Sequence, residues 1–287
     1  HELRPADVKI IAALGDSITA GHGVGAENLI AVVSQNRGEV WSHGGDESLE
    51  FPVITLTNVI RKFSPAVRGY SFCGSTTLNV RKSAFNLAEA GARNVHLPQQ
   101  TEDLIARMKN DTTIDYQNDW KVVTILLGGN DLCGYCKNEE SNSPENYVKN
   151  FQIALDTMME EMPRTFVNVK VMLDTTPLYN MTDDSGWCDF MHEQFCSCLM
   201  TEDGRSEMRN VQLGYYYGMR DLIDSGRYDV SDSFTVVLQP HLRDQKPFID
   251  PTTGRYDLSY VSPDCFHPSR VAHEGFAFMI WNMMVSN

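Results

Sequence analysis

The stretch VKIIAALGDSITAG, residues 8–21, runs an apolar segment into an abrupt polar turn that holds one serine. Apart from Lys9, Val8–Leu14 lacks the apolar/polar alternation of a half-exposed strand. A continuous apolar run of this length is what a parallel strand covered on both faces displays. Ser17 then leaves the strand either as a capping residue or as a nucleophile carried on its exit, and the stretch alone does not separate the two.

Four further runs share the character of the first: Val67–Cys73, Val122–Leu127, Val169–Asp174 and Phe234–Gln239. Helical periodicity lies between them. Over Glu145–Met162 the apolar residues Tyr147, Val148, Phe151, Ala154, Leu155, Met158, Met159 and Met162 recur at three- and four-residue spacing. Ser143 stands where an N-cap belongs and Pro144 at the first helical position, and the methionine-rich stripe reads as core. Phe51–Phe63, Gln99–Lys109, Ser206–Ser225 and Val271–Val285 are the other expected helices, the last with Ala272, Phe276, Met279, Ile280 and Met283 on one face. Strand and helix alternating five times predict an α/β fold, a three-layer α/β/α sandwich around a five-stranded parallel sheet. The Gly-, Ser- and Asn-rich segment from His22 to Glu50 reads as a long loop excursion within a single domain over residues 1–287.

The chain has 287 residues, of which 42% are hydrophobic, enough for a substantial core. A formal charge of −14 argues against a nucleic-acid partner or an anionic membrane surface, both of which demand Lys and Arg, and favours an uncharged or zwitterionic substrate. No apolar run reaches the length that spans a bilayer. Starting at His1 without a targeting stretch, the chain reads as a trimmed or processed soluble region.

Seven cysteines are present, at positions 73, 133, 136, 188, 196, 198 and 265, together with sequons at Asn110 and Asn180. The combination favours a secretory route, with glycans on those asparagines and oxidised cysteines. CGYC at 133–136 is also the spacing of a redox pair, and CDFMHEQFCSC at 188–198 offers zinc-type ligands with His192. The structural alternative is disulfide bonding of Cys133, Cys136, Cys188, Cys196, Cys198 and Cys265 in an unspecified pairing. Cys73, isolated in a strand-like segment, is the expected free thiol.

In an open parallel sheet, ligands bind beyond the carboxyl ends of the strands. Gly15-Asp16-Ser17 follows the first run, Gly128-Gly129-Asn130-Asp131 follows the third, and Asp264-Cys265-Phe266-His267 precedes the last helix. A fourth segment, FNLAEAGAR at 85–93, presents Gly91. Acyl transfer by serine needs a hydroxyl, a base, a group that orients the base, and donors for the oxyanion. Ser17, His267 and Asp264 supply the first three. The N–H groups of Ser17 and Gly91 with the Asn130 amide supply the oxyanion hole. Each cluster is also an ordinary turn composition, and it is their order and strand-end placement that favours chemistry.

Asp16 and Asp131 read as turn-organising carboxylates, His22 and His43 as loop residues able to meet a head group, and His273 as a helix position. GHGVGA at 21–26 matches the letters of a dinucleotide-binding turn. It begins too far beyond the strand, however, and no acidic residue ends a second strand to hold a ribose.

The order GDS, then an Asn/Ala/Gly segment, then GxND, then DxxH resembles the GDSL or SGNH hydrolase family. Its four name-giving residues fall here on Ser17, Gly91, Asn130 and His267, with Gly74 of CGSTT as a rival to Gly91. Ile18 stands where the family name has Leu. A narrower resemblance covers nearly the whole chain. RGEVWSHGGDE at 37–47, MKNDTTIDYQNDWKVVTILLGGNDLC at 108–133, FTVVLQP at 234–240, PDCFHPS at 263–269 and both cysteine clusters are similar to the animal phospholipase B group. The resemblance implies a flavodoxin-like sandwich and a cofactor- and metal-independent acyl hydrolase of the secretory pathway. Its implied partner is a phospholipid or lysophospholipid, presented at a membrane or micelle surface, with wider esterase or lipase activity. The rival functions are a general carboxylesterase and a silent lipid-binding module of the same fold.

Overall fold

A computed structural model of the chain describes residues 3–51, 53–239 and 249–286. Four parallel strands, β1 (Val8–Gly15), β2 (Trp120–Leu127), β3 (Thr165–Val171) and β4 (Phe234–Leu238), lie side by side in that order. The register runs Leu14↔Ile125 between β1 and β2, Val123↔Val167 between β2 and β3, and Val167↔Val236 between β3 and β4. Ten helices are described: α1 (Ser17–Ala20), α2 (Leu29–Val32), α3 (Leu56–Arg61), α4 (Val80–Ser83), α5 (Leu97–Asn110), α6 (Gly129–Gly134), α7 (Pro144–Glu161), α8 (Trp187–Phe195), α9 (Glu202–Asp224) and α10 (Arg270–Ser286). Helices α5, α7 and α9 cover one face of the sheet and α3 and α10 the other, which makes the three-layer α/β/α arrangement. Two aromatic stacks seal the layers, Tyr147 of α7 on Tyr215 of α9 at 4.0 Å and Phe63 on Trp281 of α10 at 5.4 Å between ring centroids.

The sheet has four regular strands among the described residues, where five were expected, and the missing one is Val67–Cys73. Its place on the free edge of β1 is filled by two short pieces. Arg68 exchanges hydrogen bonds with Lys9 and Ile11, and the backbone of residues 85–89 takes over against Ala13 and Gly15. Between them the chain swings away at Gly69, whose φ of +93° is a left-handed conformation, and Ser71 pairs with the 43–45 segment instead. The spatial order is therefore that of a flavodoxin-like sheet whose second strand is broken, with its switch point between β1 and β2.

Local signals placed the long helices well. The Ser143 hydroxyl accepts the Asn146 N–H at 3.3 Å with Pro144 at N1, as read from the sequence. The helix expected over 51–63 shortens to α3 because Thr55 caps it, accepting from Asn58 N–H at 3.0 Å; Pro52 lies outside the described residues. The excursion at 22–50 holds α2 and a turn at Arg37–Glu39, and its second half is core, with Val40, Trp41 and His43 fully buried.

Cys133 pairs with Cys196, Cys136 with Cys198 and Cys188 with Cys265, leaving Cys73 free and exposed. That pairing displaces both the redox and the zinc readings, since Cys133 and Cys136 each bond elsewhere and the His192 ring meets the Cys265 carbonyl at 2.8 Å. Among the described residues no helix is long and apolar enough to cross a membrane.

The bend at Gly69 has a measurable cost. A Cβ there would lie 2.4 Å from the Ile11 carbonyl oxygen, whereas at Gly226, with φ +77°, it would meet nothing within 4 Å. Gly226→Ala is expected to lose about 1 kcal/mol from backbone strain alone, and Gly69→Ala clearly more, read as the difference in urea midpoints.

Candidate active site

The exits of β1 and β2 and the loop before α10 meet at the switch point. Strand β1 delivers Asp16 and Ser17 into α1, and its last residue is pinned from α5: Gln100 accepts the Gly15 N–H at 3.0 Å and donates back to the Gly15 carbonyl at 2.9 Å. Ser17 Oγ lies 2.9 Å from His267 Nε2, and His267 Nδ1 lies 2.6 Å from Asp264 Oδ2. With Nδ1–H donating to the carboxylate, Nε2 is left as the acceptor for the serine hydroxyl.

Asp264 is itself fully engaged. Its Oδ1 accepts the Ser262 hydroxyl at 2.6 Å and the N–H groups of Phe266 and His267 at 3.0 Å each. Burial works to raise its pKa, but the hydrogen bond and charge of His267, with Ser262 and the loop N–H groups, outweigh it and hold the carboxyl at about 2. The group therefore stays a carboxylate and an acceptor throughout the neutral range.

Asn130 enters α6 at the end of β2 and lines the same groove as Ser17 and His267. One N–H of its side-chain amide donates to the Ala92 carbonyl at 3.0 Å, leaving the other for a ligand. Gly91 precedes Ala92 in that turn, with φ +76° and open space where a Cβ would point. Gly74, the rival glycine, instead lies against the Gln35 carbonyl.

Asp131 accepts both the backbone and side-chain N–H groups of Asn94, and Asp16 accepts the Ile18 N–H at 3.0 Å. Both carboxylates organise turns, and Asp16 also lines the groove. His43 is fully buried with its Nε2 on the Gly69 carbonyl at 2.6 Å, which removes it from any head group. His273 is equally buried and accepts the Trp41 N–H at 3.2 Å. His22 does reach the site. Its ring lies 5.6 Å from that of His267, and burial, then the neighbouring His267, lower its pKa to about 4.

Arg37 was not singled out from the sequence. Fully buried, it donates to the carbonyls of Ser75 at 2.8 Å and Ala88 at 2.7 Å, to the Gln35 side chain at 2.8 Å, and to the Asn86 side-chain oxygen at 2.8 Å. Asn86 in turn donates to the Thr19 carbonyl of α1 at 2.8 Å. One guanidinium thus ties the segment that leads to Gly91 to the helix that begins at Ser17. Nothing local in RGE announces this, since a charged residue in a loop is ordinarily solvated.

The groove is open beside Ser17, with a cavity volume of about 150 Å³. Asp16, Ser17, Asn130 and His267 form its polar end; Met172, Leu178, Met181, Val261, Phe276 and Met279 line the remainder. The apolar face of α10 therefore helps to build the groove, through Ala272, Phe276 and Met279. A hydroxyl on an oriented imidazole, at the end of an apolar channel, is suited to nucleophilic attack on a carbonyl that carries a hydrocarbon tail.

Fold and site together bring a serine hydroxyl, an imidazole and a carboxylate into one row at the switch point of a flavodoxin-like sheet. Residues 11–277 match the model of the GDSL-like Lipase/Acylhydrolase family, and the chain belongs to that family of carboxylic ester hydrolases. It is 41% identical over 296 residues to phospholipase B1, membrane-associated, of Rattus norvegicus, and 39% identical over 294 residues to that of Homo sapiens. Each alignment covers 99% of this chain and 20% of the relative, so the chain spans about a fifth of their length. Among solved structures, a GDSL-like lipase from Parabacteroides merdae superposes with a TM-score of 0.51 at 16% identity, covering 97% of both chains, a likeness of fold.

Burial, ahead of every other influence, raises the pKa of Asp16 to about 7, well above its unfolded value of 3.8. The folded state then holds a proton that the unfolded chain has released, so this group's contribution is fully present below about pH 4 and is lost as pH rises through 7. Asp16→Asn keeps an oxygen for Ile18 N–H and cannot ionise. Its stability, relative to the parent protein, is expected to improve progressively from pH 4 to pH 8 in urea unfolding; an unchanged difference across that range would show that Asp16 does not titrate there.

Proposed function

We propose that the chain is a serine-dependent acyl ester hydrolase of the phospholipase B type, releasing fatty acids from phospholipids and lysophospholipids through an acyl-enzyme. The observation that carries this reading is the unbroken row Ser17–His267–Asp264 at the mouth of an apolar groove. The roughly 40% identity to phospholipase B1 over almost the full chain supports the substrate class.

In this mechanism the Ser17 hydroxyl attacks the ester carbonyl as its proton passes to His267 Nε2. The new oxyanion is met by the N–H groups of Ser17 and Gly91 and by the free Asn130 amide hydrogen. Collapse breaks the acyl–oxygen bond, and the imidazolium returns the proton to the departing alcohol. Water then repeats the sequence: His267 takes its proton, the hydroxide oxygen adds to the acyl carbon, and Ser17 leaves reprotonated with the fatty acid released. Asp264 holds the ring and balances the imidazolium without taking the proton.

The same reading treats residues 1–287 as one catalytic domain, since Ser17 and His267 come from its two ends. Three disulfides fit an extracellular or lumenal location. Asn110 and Asn180 are both exposed, as glycan acceptors must be, and the proposal takes the chain as a secreted or membrane-lumenal glycoprotein.

The test is a lipid panel with lysophosphatidylcholine, phosphatidylcholine, triacylglycerol and a short soluble ester, run beside Ser17→Ala. Fatty acid release from the two phospholipids, absent in Ser17→Ala, is the expected result. Activity on the short ester alone would reduce the chain to a general esterase, and activity on none would leave a silent lipid-binding module. On the best substrate, Asn130→Ala is expected to lose roughly 10²–10³ in kcat with KM little changed. Arg37→Lys, which loses the planar fork, is expected to cost roughly 10-fold or more in kcat by displacing the Gly91 turn.

A further inference from the structure

Helix α8 turns an aromatic face outward beside the groove. Its inner side is Cys188 and His192, one turn apart and fully buried. Trp187, Phe190, Met191 and Phe195 fall on the adjoining arc at three- and four-residue spacing, with Phe190 51% and Phe195 43% exposed. The outward arc of a surface helix is ordinarily polar, and a run of large apolar groups left in water marks a contact surface.

This face continues into the groove. The Phe195 ring lies 5.1 Å from that of Phe266, which lines the groove, and 5.9 Å from that of His267. The face is also rigidly mounted. Cys188–Cys265 ties it to the residue before Phe266, and Cys133–Cys196 ties its C-terminal end to α6, the helix that carries Asn130. The Trp187 indole N–H donates to the Pro263 carbonyl at 2.9 Å, so its polar atom is satisfied in place.

Charge selects the partner. The polar residues of α8 include exposed Asp189 and Glu193, and the helix has no Lys or Arg. Helices that lie on anionic membranes place basic residues on that side, and a net charge of −14 opposes such a surface further.

We propose that the α8 face docks this protein on a zwitterionic phospholipid surface, so that a lipid leaving the aggregate passes Phe195 and Phe266 directly into the groove. The proposal rests on the acyl-hydrolase reading for what the groove receives, but the docking is a binding event and is measured without turnover.

The test compares the 287-residue chain carrying Ser17→Ala with Ser17→Ala/Phe190→Asp and Ser17→Ala/Phe190→Trp in co-sedimentation with sucrose-loaded phosphatidylcholine vesicles. Phe190→Asp is expected to weaken binding by roughly tenfold or more, as befits withdrawing one buried phenyl group, while Phe190→Trp retains it. Phosphatidylglycerol in the vesicles should weaken binding further. With Ser17 intact, Phe190→Asp should hydrolyse a short soluble ester at the parent rate, which shows that the groove is undamaged. Equal sedimentation of all three proteins, no sedimentation of the Ser17→Ala parent, or tighter binding to phosphatidylglycerol would overturn the proposal. So would a vesicle-free dimer abolished by Phe190→Asp, because the face would then belong to a second copy. Vesicle binding that depends on Phe190, in a protein inactive on every ester, would sustain the docking face and remove the catalytic reading.

Discussion

The row of hydrogen bonds from Ser17 through His267 to Asp264 joins residues 250 positions apart, and the rest of the site is arranged around keeping it in register. Its ends sit on different supports. Ser17 leaves β1, whose last residue is clamped by Gln100, while His267 sits in a loop whose carboxylate collects two backbone N–H groups and a serine hydroxyl. Displacing either support by an ångström would separate a hydroxyl and an imidazole that must stay within hydrogen-bond reach. The disulfide from Cys188 to Cys265 and the Arg37 hub act on the same requirement from opposite sides.

Electrostatics divides the site into two environments. At the polar end, Asp264 is held ionised by its donors, whereas Asp16, one residue before the serine and equally buried, is met by backbone N–H groups alone, that of Ile18 foremost, and burial makes it resist ionisation. Two aspartates close to one imidazole thus differ in charge because they differ in hydrogen bonds, and only the one that faces Nδ1 can orient the ring. Beyond them the groove is hydrocarbon, and the aromatic rim on α8 carries that character out to the surface.

How much of this could be read from the chain depended on how local the cause was. The cap at Ser143, the proline at 144 and the Asp264-x-x-His267 turn are short-range devices, and each was legible. The broken second strand was not, because Val67–Cys73 has the composition of a strand; what breaks it is the left-handed Gly69 together with the 43–45 segment, which competes for its backbone. Disulfide pairing was closed for a similar reason, since it depends on which cysteines the fold brings together, although the isolation of Cys73 was visible. Arg37 and the groove wall are long-range constructions. The former is recognised only by the oxygens gathered around it, and the latter is assembled from the segment beyond β3, the loop before α10 and α10 itself, none of which announces a binding surface alone.

The most direct measurement is covalent. A fluorophosphonate should transfer its phosphonyl group to Ser17 and to no other residue, identified by peptide mass spectrometry, with fatty acid release from lysophosphatidylcholine falling in proportion to the modified fraction. Modification of a different residue, or full hydrolysis by protein fully modified at Ser17, would contradict the account.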